Sequence, residues 1–162
     1  MKNLRKLDAS KDCGINQKGI EGLDLIELDV RENKNIYNVS HMKNLKYLHA
    51  GGECGINQKG IEGLDLVELN AKDNWNIKIV SHMKNLKKLD ISLNCGINQE
   101  GIKDLNLEES SIFSNLKITT ISHMTNLKKL NVGRSEIDQK EIDGLDLIIF
   151  KADNNPNITS VF

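Results

Sequence analysis

Residues 1–41 read MKNLRKLDASKDCGINQKGIEGLDLIELDVRENKNIYNVSH, and residues 42–82 read MKNLKYLHAGGECGINQKGIEGLDLVELNAKDNWNIKIVSH. Residues 83–123 open with MKNLKKLDISLNCGINQEGIKDLNLEE, and residues 124–162 with MTNLKKLNVGRSEIDQKEIDGLDLIIF. Each block divides again. Leu4, Leu7, Ala9 and Ile15 occupy relative positions 1, 4, 6 and 12. Leu25, Leu28, Val30 and Ile36 repeat that spacing 21 residues later, and Leu45, Leu48, Ala50 and Ile56 repeat it 20 residues after that. The chain is therefore eight units of 20–21 residues, paired in blocks 1–41, 42–82, 83–123 and 124–162 of one repeat domain.

Apolar residues at positions 4 and 6, flanked by polar ones at 3, 5 and 7, have period 2. That period marks a short strand with one buried face. Such a strand cannot bury its face alone, but eight stacked copies form one parallel sheet with neighbours about 4.8 Å apart. Parallel strands need a return path, and about a dozen residues per unit remain for it. Ile20, Ile61, Ile102 and Ile142, with Val39, Val80, Ile121 and Val161, are placed to pin that path to the core. Gly14, Gly19 and Gly22 suit a long helix poorly, so tight turns or short 3₁₀ pieces are expected there.

Composition narrows the function. The chain is 38% hydrophobic and 28% charged, with a net charge of −1. No stretch approaches the roughly 20 apolar residues of a membrane-spanning helix, and no start reads as a signal peptide. A near-neutral balance argues against a nucleic-acid partner. Lysine outnumbers arginine 19 to 3, which hints at an A/T-rich genome such as that of a giant virus or a protist.

The pattern LxxLxLxxN followed by a later apolar residue, as in Leu86, Leu89, Ile91 and Asn94 or Leu25, Leu28, Val30 and Asn33, resembles the leucine-rich repeat family. The even units resemble the short repeats of internalin-like and SDS22-like proteins. The resemblance spans the whole chain. It implies an α/β repeat: a right-handed curved solenoid with the sheet on its concave face and turns on its convex face. It also implies recognition of other macromolecules.

Asn33, Asn74, Asn94, Asn115 and Asn155 stand at position 9. They are expected as a ladder of buried amides bonding the backbone of the turn after each strand. Asp12, Glu53 and Ser135 replace asparagine in the other odd units, where looser turns are expected.

Cys13, Cys54 and Cys95 recur every 41 residues. Equivalent positions two strands apart lie about 9.6 Å apart, too far for a disulfide, whose Cα atoms want about 7 Å, or for a shared zinc. Small buried thiols are expected, and free thiols fit a reducing, intracellular (cytoplasmic) setting. His41, His82 and His123 are separated by the same distance and read as parts of the repeat. No phosphate loop, HExxH or GxSxG motif is present. The CGINQKG repeat lacks the context of a phosphate loop and reads as a turn. Asn38-Val-Ser and Asn157-Ile-Thr match the glycosylation sequon, with no sign of secretion. No cofactor, metal site or catalytic constellation is expected.

Equal positions become neighbours in a parallel sheet. Position 3 reads Lys6, Glu27, Tyr47, Glu68, Lys88, Glu109, Lys129, Ile149, so charge alternates from Glu68 to Lys129. Weak cross-strand pairing is the plain reading. His49 at position 5 and Tyr47 at position 3 form a plausible contact spot on the open face. The sixth unit departs from the pattern: Glu108 stands where Ile26 and Val67 stand, Ser110 takes a core position, and Phe113 occupies the place of Arg31 and Lys72. Ser110 needs a hydrogen-bond partner, or costs on the order of 1–3 kcal/mol. This rung reads first as a tolerated weak one, and second as a contact patch of Phe113 with Tyr47 and His49. Trp75 is a further exposed aromatic.

The functional expectation is a non-catalytic scaffold for a protein partner. Tyr47, His49 and Phe113 are its candidate contacts, surrounded by Arg31, Glu68, Lys72, Lys88 and Glu109. The alternative is a structural spacer within a larger adaptor or surface protein. No polar capping unit is visible at either end, so a fragment of a longer array, or end-to-end association through Leu4, Leu7, Ile15, Ile158, Val161 and Phe162, is also expected.

Overall fold

A computed structural model describes residues 3–160. Val161 and Phe162, expected at one end of the core, lie outside the described residues. Eight three-residue strands form one sheet: β1 Lys6–Asp8, β2 Glu27–Asp29, β3 Tyr47–His49, β4 Glu68–Asn70, β5 Lys88–Asp90, β6 Glu109–Ser111, β7 Lys129–Asn131 and β8 Ile149–Lys151. Their order in space is their order in sequence, and all pairings are parallel. Register pairs equal positions, as in Leu28 with Leu48 and Leu48 with Leu69. The chain is thus a parallel β-solenoid in which each unit touches its sequence neighbours. Helix is scarce. Among the described residues the α part of the expected α/β class amounts to one four-residue helix, α1, at Gln139–Ile142.

The core is one column of apolar side chains running through the stack. Position 4 supplies Leu28, Leu48, Leu69, Leu89 and Leu130, and position 6 supplies Val30, Ala50, Ala71, Ile91, Ile112 and Val132, all nearly solvent-free. The return path closes over them with Ile20, Ile61, Ile102, Ile142, Val39, Val80 and Ile121, all buried as the spacing predicts. Met42, Met83 and Met124 are buried as well, while His41, His82 and His123 beside them face solvent. Full burial of each such apolar side chain contributes about 1.5–3 kcal/mol.

The turn after each strand alternates between two designs. In even units Asn33, Asn74, Asn115 and Asn155 are buried. Asn74 Nδ2 donates to the carbonyls of Ala50 (2.8 Å) and Ile56 (3.1 Å) in the preceding unit, and its Oδ1 accepts from Asn76 N–H (2.9 Å). Asn33 repeats this with Ala9 and Ile15, and Asn155 with Val132 and Ile137. Asn94 does not join the ladder: it is exposed. In its unit Cys95, one residue later, turns inward and is 0% exposed. Cys54 does the same and contacts the Ala50 carbonyl (3.1 Å) and Asn74 Nδ2 (3.4 Å). The turns of units 3 and 5 therefore seat a thiol at position 10 where even turns seat an amide at position 9. Unit 7 lacks one turn residue, and Ser135 regains the even geometry, its hydroxyl donating to the Val132 carbonyl (2.8 Å). Substitution of the position-9 asparagine thus leaves these turns bonded rather than loose.

Cys13 departs from the expectation of three buried thiols. It is exposed, whereas Cys54 and Cys95 belong to the buried core of the stack.

The odd return paths contain the expected 3₁₀ pieces, at Gln17–Ile20, Lys59–Ile61 and Glu100–Ile102. The fourth is α-helical instead. There Glu141 replaces the glycine of the other three, which removes the residue least favourable to a helix.

Candidate functional site

The outward residues of the eight-stranded sheet form a continuous surface along the stack. Period 2 sends positions 3 and 5 of every strand to the side opposite the core. On β4 to β8 these side chains line a shallow depression of about 370 Å³ that includes Glu68, Asn70, Lys88, Asp90, Glu109 and Lys129. Glu109 is its electrostatic centre. It accepts from Lys129 at 2.9 Å and pairs with Lys88 at 3.4 Å. These bonds, the one from Lys129 foremost, hold its carboxyl below the usual range. Lys88 leans to Glu109 rather than to Glu68, so the predicted alternating row closes at two of its three steps. At the other end, Lys6 pairs with Glu27 at 2.6 Å. Next to it Arg31 chelates Asp29 through two nitrogens. Burial works against ionisation of Asp29, but the bonds from Arg31 outweigh it and hold the carboxyl low.

Tyr47 and His49 share β3, where Tyr47 is 37% exposed and His49 half-buried. Phe113 follows β6, three strands away, or about 14 Å at the usual spacing. Its ring lies over Gly133, where an added Cβ would come within 2.9 Å of it, and Arg134 sits 5.8 Å from its centroid. Phe113 thus packs on unit 7, and the suggested patch with Tyr47 and His49 is split in two. Arg31, Glu68 and Lys72 lie on units 2 and 4 between or beside these points. Trp75 is exposed, at 62%, on the turn after Asn74.

The weak sixth rung is satisfied locally. Ser110, 8% exposed, donates to the Leu89 carbonyl at 3.3 Å. Glu108 reaches Lys87 at 2.7 Å. Ser92 and Ser111 share a 2.8 Å hydrogen bond across β5 and β6.

Sequence reasoning missed the second ladder, on the return path. In each GINQ motif the asparagine caps the following turn, as Asn57 Oδ1 accepts from Gly60 N–H (3.1 Å). The glutamine clamps the next unit. Gln58 Oε1 accepts from the N–H groups of Lys78 and Ile79 (2.9 Å each), and its Nε2 donates to the Ile79 carbonyl. Gln17 and Gln99 do the same. The fixed 41-residue recurrence of N-Q was the signal available for this role.

Burial pushes the thiols of Cys54 and Cys95 up to about 11, which leaves them protonated and inert at neutral pH. Among the described residues no group of three His, Cys, Asp or Glu side chains lies close enough to hold a metal, and no helix is long and apolar enough to cross a membrane. No family model, no curated protein and no solved structure matches this chain.

Proposed function

We propose that this chain is a leucine-rich-repeat solenoid whose sheet forms the concave face and binds a protein partner without catalysis. The observation that carries the reading is the open face itself. Eight strands in strict register present a continuous surface of charged and polar side chains around a depression centred on Glu109. The LxxLxLxxN pattern supports the family assignment, and the same pattern in leucine-rich repeats supports right-handed curvature. The paired charges there favour a partner with both signs of charge, since a surface of one sign would leave half of them unmatched. Tyr47 with His49, and Phe113 with Arg134, flank the depression as two separate apolar contacts.

The test is retention of a partner on the immobilised chain from an extract of its source. Binding is expected to drop at least tenfold in the double variant Tyr47→Ser, Phe113→Ser and again in Glu109→Lys, and to persist when the return-path lysines Lys18 and Lys59 are changed to alanine. Equal retention by all variants counts against the open face and favours the spacer reading.

A further inference from the structure

The three junctions at which an odd unit follows an even one are closed in two ways on the return path. Between units 2 and 3, Val39 N–H donates to Gly60 O and Gly55 N–H to Asn33 O, 2.9 Å each. Between units 4 and 5, Val80 N–H donates to Gly101 O and Gly96 N–H to Asn74 O, again 2.9 Å each. These are bonds between backbones, and glycine permits the approach they need. A Cβ on Gly60 would lie 2.2 Å from Tyr37 O, and one on Gly101 would lie 2.1 Å from Lys78 O.

The junction of units 6 and 7 closes differently. Glu141 stands at the place of Gly60 and Gly101, and unit 7 is one residue short in the turn that elsewhere carries Gly55 and Gly96. Among the described residues neither backbone bond has a counterpart here. One carboxylate oxygen takes over: Glu141 Oε2 accepts from Ile121 N–H at 2.7 Å and from Ser122 N–H at 2.9 Å. Asp138 caps α1 three residues before Glu141, and its Oδ1 accepts from Glu141 N–H at 3.3 Å. At that spacing a glutamate can fold back on its own cap, but Glu141 reaches across to unit 6 instead.

The sheet side of the same junction is fully paired. Ile112 N–H donates to Asn131 O at 2.8 Å and Ser114 N–H to Gly133 O at 2.9 Å. Lys129 bonds Glu109 across it at 2.9 Å. The two sides therefore differ in what must move for them to open. A backbone ladder parts only when strands separate, whereas a half-exposed side chain can leave its partners by changing rotamer.

We infer that the junction of units 6 and 7 is a hinge, with its axis along β6 and β7 and Glu141 as the catch on the return path. Release of the carboxylate lets the two return paths part while the strands stay paired. The depression that contains Glu109 and Lys129 lies across this axis, so the movement changes the angle between its two halves. The hinge stands whether or not that depression receives a partner.

Native-state hydrogen exchange of the whole chain, resolved by residue in a series of low denaturant concentrations, tests it. The Ile121 amide is expected to be about tenfold or more less protected than those of Val39 and Val80. Its exchange should be insensitive to denaturant, since opening the catch exposes little surface. Glu141→Ala should lower the protection of Ile121 about tenfold further and leave Val39 and Val80 unchanged. Glu141→Gln should keep the original protection, because an amide oxygen can take both bonds, as Gln58 Oε1 does from Lys78 and Ile79. Protection of Ile121 equal to that of Val39 and Val80 in the unaltered chain would overturn the hinge, as would exchange that follows global unfolding. Equal loss of protection in the alanine and glutamine variants would overturn the role given to Glu141.

Discussion

Residues 13–19 and 54–60 are the same seven amino acids, CGINQKG, yet they live in different surroundings. Cys54 is buried and Cys13 exposed. Ile56 is fully buried, while Ile15 is only partly so. Gly60 packs against a carbonyl of the preceding unit, while a Cβ on Gly19 would meet only Ile15 Cγ2 of its own unit, at 3.2 Å. Even the backbone differs: Gly14 adopts φ +82°, and Gly55, held by Asn33 O, stays outside the left-handed region. The local sequence dictates the turn, but the neighbouring unit dictates burial. In a solenoid, burial belongs to the interface between units.

The largest expected contrast is thiol reactivity. Burial keeps the Cys54 thiol up at about 11, so at neutral pH it reacts only when the stack opens. Alkylation of Cys13 should outpace that of Cys54 and Cys95 by about 10³-fold or more, the scale set by global unfolding. Peptide mapping after brief labelling measures this, and equal labelling would erase the distinction between the two copies of the motif.

Next comes Gly60→Ala. Its Cβ cannot coexist with Tyr37 O at 2.2 Å, so the units must separate, with an expected loss of about 3 kcal/mol or more by denaturant unfolding. Gly19→Ala at the matching position should change stability by no more than about 0.5 kcal/mol.

The smallest contrast sets the two turn designs against each other. Asn74→Ala strips bonds from the Ala50 and Ile56 carbonyls and from Asn76 N–H, and should lose about 1–3 kcal/mol. Asn94→Ala, in an exposed side chain at the same repeat position, should stay within about 0.5 kcal/mol. Equal losses would mean that odd and even turns share one geometry after all.

Much of this was legible in the linear text. Leu28, Leu48 and Leu69 announced the strand register because period 2 leaves one orientation that buries them. The alternation from Glu68 to Lys129 followed from that register, and two of its three pairs close. The contacts of the candidate site were less legible. Phe113 shares a face with Tyr47 in the alphabet of positions, but three strand steps separate them, and the ring finds its nearest partners on unit 7, in Gly133 and Arg134.

What the sequence alone determined is the number of units, their order, the register and the identity of the core, since each follows from apolar spacing that one stacked arrangement satisfies. The tertiary structure decided which of two adjacent turn residues points inward. In unit 5 Asn94 is exposed and Cys95 buried, whereas in the even turns the position-9 asparagine turns inward and bonds carbonyls of the unit before it. It also decided the fate of three identical-looking cysteines and of the glycines behind them. Those outcomes depend on carbonyls some 20 residues away, which no local pattern records.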